Sequence, residues 1–262
     1  MNDDEMHEPP PTKRSAQNLT EQQADQLLRT ACNFQGRAIQ AREKCREEFR
    51  RAEREDDNTL RILVDGQIAA LEAILSNPIP NVNPSLSYQI GLVTSYTRTH
   101  FLVTDLILNG DLIEAVTLIR KQLESLARLH ELDHKPLDRL QGVTPNVGMF
   151  FRHGGGAIYG HLSEVAHFSR PRVSELMHVI QDGERTGPSL HPAFTEHSFA
   201  CLDLHHFVAI YFLVWITEKL KEWYSTIDVQ DALTLLMQTI VFAKSIGVIK
   251  FPDQDKADAT PV

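Results

Sequence analysis

The apolar residues of this chain recur at intervals of three and four, and no segment sustains an alternation of period two. A spacing of about 3.6 residues gathers side chains on one face of a helix, whereas a half-buried strand requires alternation. The expected fold is therefore all-α: a helical bundle of about five or six helices with a long N-terminal helical extension. With 262 residues, 42% of them hydrophobic, the chain can bury a sizeable core, and two independent domains would be a tight fit.

Between about residues 19 and 57 the only glycine is Gly36 and proline is absent, which favours one long exposed helix. Its charged part, REKCREEFRRAERED, mixes signs at helical spacing, and Glu interrupts every basic run. That pattern reads as a solvated helix or one arm of a hairpin rather than a stripe for nucleic acid. The same helix is a candidate surface for a protein partner or homo-oligomer. An amphipathic pattern continues over 59–76 through Leu60, Ile62, Leu63, Ile68, Leu71 and Ile74, and NPIPNVNPS then forces a loop. This boundary separates a helical extension, 19–77, from a helical core, 85–248.

Within the core, helical patterns over 87–108 and 111–134 meet at Asn109-Gly110, where glycine can end the first helix and Asp111 can cap the second. So short a joint makes the two helices antiparallel neighbours. A stretch bearing proline and glycine, 135–156, leads to a short helix over 157–169. A loop-rich stretch over 170–195 and two last helices, 196–225 and 229–245, follow. The ends, 1–18 and 252–262, read as disordered tails.

A formal charge of −9 argues against a protein that coats nucleic acid indiscriminately, since such binding rests on Lys and Arg neutralising phosphates. It leaves room for a local basic pocket. Cys32, Cys45 and Cys201 are odd in number, far apart and without a CxxC pair. Neither a disulfide framework nor a cysteine zinc site is expected, and the expected compartment is the reducing cytoplasm. The N-terminus lacks an apolar core of signal-peptide length. The most apolar run, FVAIYFLVWI at 207–216, is short against the ~20 residues of a bilayer span and follows Asp203, His205 and His206. It reads as a buried core helix with no membrane partner.

Two clusters can carry chemistry. In AIYGHLSEVAHFS, 157–169, Tyr159, Ser163 and His167 fall at steps of four, each advancing about 40° around a helix, and form one polar ridge. Ile158, Leu162, Val165 and Phe168 lie on another arc. In AVTLIRKQLESLARLHEL, 115–132, the apolar stripe takes in Val116, Ile119, Leu123 and Ala127 after Leu112, with Arg120 inside it and Glu124 at its border. A charge facing a core needs a partner, and Glu124, four residues on, is placed to supply one. The ridge is either a site or an interhelical hydrogen-bonding face, and the Arg120–Glu124 pair either pins helix packing or holds a site arginine.

This pattern of an apolar helix with Arg120 and Glu124, then a helix with Tyr159, Leu162, Ser163 and His167, resembles a family of uncharacterised bacterial helical proteins described as a domain of unknown function. That family is similar to the HEPN superfamily (higher eukaryotes and prokaryotes nucleotide-binding domain), which is all-helical and often found in phage-defence and toxin–antitoxin systems. The likeness spans roughly 85–245. It implies a helical bundle, RNA or a nucleotide as partner, and no cofactor. HEPN ribonucleases carry an Arg, four to six residues, then a His, and cleave without metal. Arg128 and His134, Arg172 and His178, and Arg185 and His191 have that spacing here. The last pair spans Gly187 and Pro188, and the first is followed by Leu129 where the ribonucleases favour a polar residue.

On that reading His167 takes the proton from an RNA 2′-hydroxyl and Arg120 stabilises charge developing on the phosphoryl oxygens. Glu124 holds the arginine, and Tyr159 and Ser163 orient the substrate. General acid–base help is worth about 10²–10⁴-fold, enough for a slow metal-independent endonuclease. Gly154, Gly155 and Gly156 would place bare N–H groups at a helix start, where anions are favoured.

A competing chemistry is metal binding. Glu131 and His134, Glu164 and His167, Glu175 and His178, and Asp203 and His206 set carboxylate and imidazole on adjacent turns, with Glu114 and Glu124 as the further carboxylates a di-iron bundle requires. With 12 histidines and abundant acids such pairs also arise by chance, so no metal ligand is assigned. HGGG at His153 resembles the oxyanion loop of some esterases, but neither a G-x-S-x-G nor a parallel-sheet pattern accompanies it. Gly154, Gly156 and Gly160 mimic a dinucleotide fingerprint at the wrong spacing.

Overall fold

The computed structural model describes residues 19–150, 155–177, 179–182, 185–224 and 227–249. The tails expected at 1–18 and 252–262, with His153, Gly154 and His178, lie outside the described residues. Among the described residues the chain is an all-α bundle. Its helices are α1 (Glu21–Ala52), α2 (Glu55–Leu75), α3 (Pro84–Leu108), α4 (Leu112–Leu132), α5 (Val147–Phe150), α6 (Gly155–Ala166), α7 (His197–Trp223) and α8 (Gln230–Ser245). The stretch expected to be loop-rich holds a 3₁₀ helix, Pro171–Leu176, and an antiparallel hairpin of β1 (Val179–Asp182) and β2 (Arg185–Pro188). Strands of four residues are too short for alternation to announce them.

The chain divides into two units, Met1–Ile39 and Gln40–Val262. In the first, α1 opens on a capping box: Gln23 N–H donates to Thr20 Oγ1 at 3.3 Å, and Thr20 N–H donates to Gln23 Oε1 at 3.0 Å. Residues 19–35 are exposed throughout.

In the second unit the end of α1 buries Cys45 and Phe49. The single helix expected to reach residue 57 breaks before Glu55, where Arg54 is extended. Glu55, Asp56 and Asp57 suit the positive end of a new helix, which explains the break. Arg54 reinforces that start, donating to Asp57 through Nε at 2.8 Å and Nη2 at 2.6 Å.

The structure also corrects the extension drawn over 19–77. Leu60, Val64, Ile68 and Leu71 on α2 are buried, and α2 packs on α7 and α8. The proline-rich loop after it is a connection within one core, because the apolar stripe of α2 has nowhere else to be buried.

Asn83 caps α3, accepting from Leu86 N–H at 2.9 Å, with Pro84 in the first helical turn. The joint to α4 turns at Gly110, whose φ is +78°. There Asp111 N–H reaches back to Leu106 O at 2.9 Å and Gly110 N–H to Ile107 O at 3.1 Å, which closes the end of α3. Asp111 does not cap α4 through its side chain. Its carboxylate instead accepts from Arg42 Nε at 2.8 Å and Nη2 at 3.2 Å, which ties α1 to the α3–α4 turn.

Helices α4 and α7 form the middle of the bundle. α4 packs on α3, α5, α6 and α7, and α7 also packs on α2, α3 and α8. By length and composition α7 is long and apolar enough to cross a membrane. Here Val208, Ala209, Phe212 and Ile216 are wholly buried in the core, and burial of each larger side chain contributes about 1.5–3 kcal/mol.

Candidate functional site

α6 lies along α4, and their seam brings four of the five expected site residues together. Arg120 faces α6 from α4, Glu124 stands one turn further on, and Tyr159 projects from α6. His167 follows the last residue of α6 and donates its backbone N–H to Ser163 O at 3.0 Å. Phe168 then takes the left-handed conformation, with φ of 49°, and Ser169 N–H reaches back to Glu164 O at 3.0 Å. This closure of the helix end normally uses glycine. It holds the His167 ring beside Arg120.

Arg120 Nη1 lies 2.9 Å from His167 Nε2, and Nη2 lies 3.0 Å from Tyr159 Oη and 3.2 Å from Glu124 Oε1. Tyr159 Oη donates onward to Glu124 Oε1 at 2.7 Å. Because a guanidinium only donates, a hydrogen bond here requires His167 Nε2 to be the acceptor. The hydrogen bond to Tyr159 raises the Arg120 pKa, and Glu124 adds to this against desolvation. The side chains of Arg120 and Glu124 are 21% and 28% exposed, so the network is open to solvent on one side. Arg120 Nε is buried without a partner.

Ser163 stands apart from this network. Its Oγ donates to Tyr159 O at 2.7 Å, a bond within α6, and among the described residues it makes no side-chain bond to Arg120, Glu124 or His167.

Of the Arg-to-His spacings, the one at Arg128 and His134 has its arginine committed elsewhere. Arg128 is buried and donates to the carbonyls of Leu140 and Val143, which fixes the loop after α4, and its Nε lies 3.4 Å from Glu131. A residue so engaged in loop closure is unavailable to a ligand. The side chains of Arg172 and Arg185, and all of His178, lie outside the described residues.

Among the described residues no three His, Cys, Asp or Glu side chains gather where a metal could sit. Two of the candidate carboxylates already have cations: Glu131 faces Arg128 and Lys135, and Glu164 faces Arg170 at 3.1 Å.

The sequence reading missed a buried polar cluster where α2, α3 and α7 meet. His100, His205 and His206 are inaccessible to solvent, and His100 Nε2 lies 2.6 Å from Asp65 Oδ1. The rings of His100 and His205 stack with centroids 4.3 Å apart, and His205 Nε2 lies 3.3 Å from Thr104 Oγ1. Burial lowers the pKa of His205 far below the usual histidine range, and His100 and His206 push the same way. Burial also pushes His206 down to about 3, with Asp65 and Asp57 opposing and His100 and Arg61 assisting. The available signal was the position of His205 and His206 beside the apolar run 207–216, on a helix with no polar face wide enough to expose them both.

No family model, curated protein or solved structure matches this chain.

Proposed function

We propose that the chain is a cytoplasmic HEPN-like helical protein that binds and slowly cleaves RNA, in the bacterial defence or toxin–antitoxin setting that the resemblance implies. The observation that carries this reading is the 2.9 Å contact between Arg120 and His167 at the exposed end of α6. It sets a permanent cation beside an imidazole nitrogen, the two groups that phosphodiester transfer to a 2′-hydroxyl requires.

In the free protein Arg120 occupies the His167 lone pair. An incoming phosphate draws Nη1 to a phosphoryl oxygen, while Tyr159 and Glu124 retain Nη2. His167 Nε2, now released, takes the 2′-hydroxyl proton as the 2′-oxygen bonds to phosphorus and the bond to the 5′-oxygen breaks. The imidazolium then returns its proton to the leaving 5′-oxygen. The products are a 2′,3′-cyclic phosphate and a free 5′-hydroxyl.

The test is an RNA-cleavage assay in EDTA with the wild type, His167→Ala and Arg120→Ala, folding being checked by circular dichroism. Cleavage that survives chelation and falls about 10²-fold or more in both folded variants is expected. Absence of cleavage by the wild type, or cleavage only with added metal, overturns the proposal.

A second reading, a non-catalytic interaction module, is favoured by Leu27 and Leu28, which are 58% and 64% exposed on α1. They offer apolar surface to a protein partner or to a second copy. Self-association lost in a Leu27→Ser, Leu28→Ser variant, with RNA left uncut by the wild type, would select it.

A further inference from the structure

A groove between α3 and α4 holds two cations that have no counter-ion. It is lined by Gly91, Thr94, Ser95, Arg98, Thr99, Leu102 and Lys121, and its volume is about 460 Å³. Among the described residues neither Arg98 nor Lys121 makes an ion pair or a side-chain hydrogen bond. Arg42, Arg46, Arg54, Arg61, Arg120 and Arg128 all have carboxylate partners. In a chain of formal charge −9 an acid could readily have been placed beside these two, and none lines the groove.

A second chamber, about 310 Å³, continues from the first and shares Thr94 and Arg98 with it. Its walls are mainly apolar: Ile68, Ala69, Leu75 and Phe101. Thr97 lines it as well, with a buried hydroxyl that has no partner. Glu72 stands in this chamber and disfavours an anion there. The two chambers thus present a cationic end and an apolar, aromatic end, each within the size range of small-molecule sites.

We propose that this groove binds a small phosphate monoester with an aromatic body, its phosphate between Arg98 and Lys121 and its ring against Phe101 and Leu75. A phosphate monoester carries a charge of about −1.5 to −2 at neutral pH, which matches two cations, whereas a carboxylate matches one. Arg98 pairs with two phosphate oxygens through its planar fork, and Lys121 serves as a point charge. The Ser95 and Thr99 hydroxyls supply donors to the remaining oxygen. The Glu72 carboxylate fixes the orientation by repelling the phosphate from the aromatic end.

Phenyl phosphate is the probe. Isothermal titration at low salt compares it with inorganic phosphate and with phenol, on the full chain and on four variants whose folding is checked by circular dichroism. Phenyl phosphate is expected to bind more tightly than inorganic phosphate, and phenol not measurably. Arg98→Met and Lys121→Met each weaken phenyl phosphate about tenfold or more, the loss of a charge-assisted hydrogen bond. Phe101→Ala brings phenyl phosphate down to the affinity of inorganic phosphate.

A fourth variant, Gly91→Leu, blocks the groove without removing any of these groups, since a Cβ at Gly91 meets nothing within 4 Å. It abolishes binding in a helix that is, if anything, better formed. Failure of phenyl phosphate to bind at millimolar concentration overturns the proposal. So does equal binding by wild type, Arg98→Met and Gly91→Leu, or binding of phenol as tight as that of phenyl phosphate.

Discussion

Acid should unfold this protein through two histidines that its core keeps neutral. Burial holds the pKa of His206 at about 3 in the folded chain, against an ordinary value of 6.5. His205 is lowered as well, and His100 lies against it. The folded pKa lies below the unfolded one, so between pH 6.5 and 3 the unfolded chain binds a proton that the folded chain refuses. Stability is complete above pH 6.5 and falls as the pH drops through that window. Each pH unit removes about 1.36 kcal/mol per such group. For His206 alone, lowering the pH from 7 to 5 removes about 2 kcal/mol, and His205 adds to the loss. A domain of this kind has about 5–15 kcal/mol to lose, so the effect is large.

The assay is urea unfolding at pH 7, 6 and 5 for the wild type and for His206→Leu. Leucine fills a similar volume, and its loss of polarity leaves no group stranded at Nε2, which has no partner in the folded chain. Carboxylates elsewhere titrate alike in both proteins and cancel. The wild-type loss between pH 7 and 5 should exceed that of the variant by about 2 kcal/mol. Equal losses in the two proteins would refute the reasoning, since His206 would then be protonated as easily in the core as in water.

Three further outcomes follow from local geometry. Gly110→Ala places a Cβ 2.8 Å from Cys45 Sγ and 2.9 Å from Ala193 O at a φ of +78°, so thermal unfolding should show a loss of about 2 kcal/mol or more; a change under about 0.5 kcal/mol would deny the close approach. Asp133→Ala removes the acceptor on which three donors converge, stranding Trp215 Nε1 (2.8 Å) and Gln89 Nε2 (3.0 Å) and leaving Lys219 Nζ (2.9 Å) with Glu222 alone; urea unfolding should register about 3 kcal/mol, and Asp133→Asn should recover part of it. Phe168→Gly relieves a left-handed residue that is 62% exposed and should raise the unfolding midpoint by the equivalent of about 1 kcal/mol; a lower midpoint would show that the phenyl ring contributes more than the strain costs.

The helices were legible because their period is written in the chain. The ends of α3 and α4 fall near Gly110 as expected, since only a residue tolerant of positive φ can turn there. The partner of Asp111 was not legible. Capping is a local preference, and Arg42, 69 residues away, competed for the same carboxylate. The break between α1 and α2 carries a signal, three acids in a row at 55–57, which marks a helix start and in a charged stretch is indistinguishable from surface charge. A proline-rich loop such as the one after α2 resembles a domain boundary without being one. Prolines interrupt a helix but say nothing about whether the apolar stripes on either side share a core.

Arg120 and Lys121 show where sequence reasoning stops. Arg120 interrupts an apolar stripe, so the demand for a partner is local and visible, and Glu124 answers it one turn away at 3.2 Å. Tyr159 and His167 are further answers, but they depend on α6 lying against α4, which no spacing within α4 encodes. Lys121 is the next residue, turned by about 100° around the helix, and it faces α3. Nothing in its neighbours marks it, since a lysine on a mixed face is the commonest surface residue. It acquires meaning only because α3 sets Arg98 into the same groove. Consecutive positions of one helix thus serve two different neighbours. A substitution at Arg120 should therefore act on the α4–α6 seam, and one at Lys121 on the α3–α4 groove, with their effects adding when both are changed.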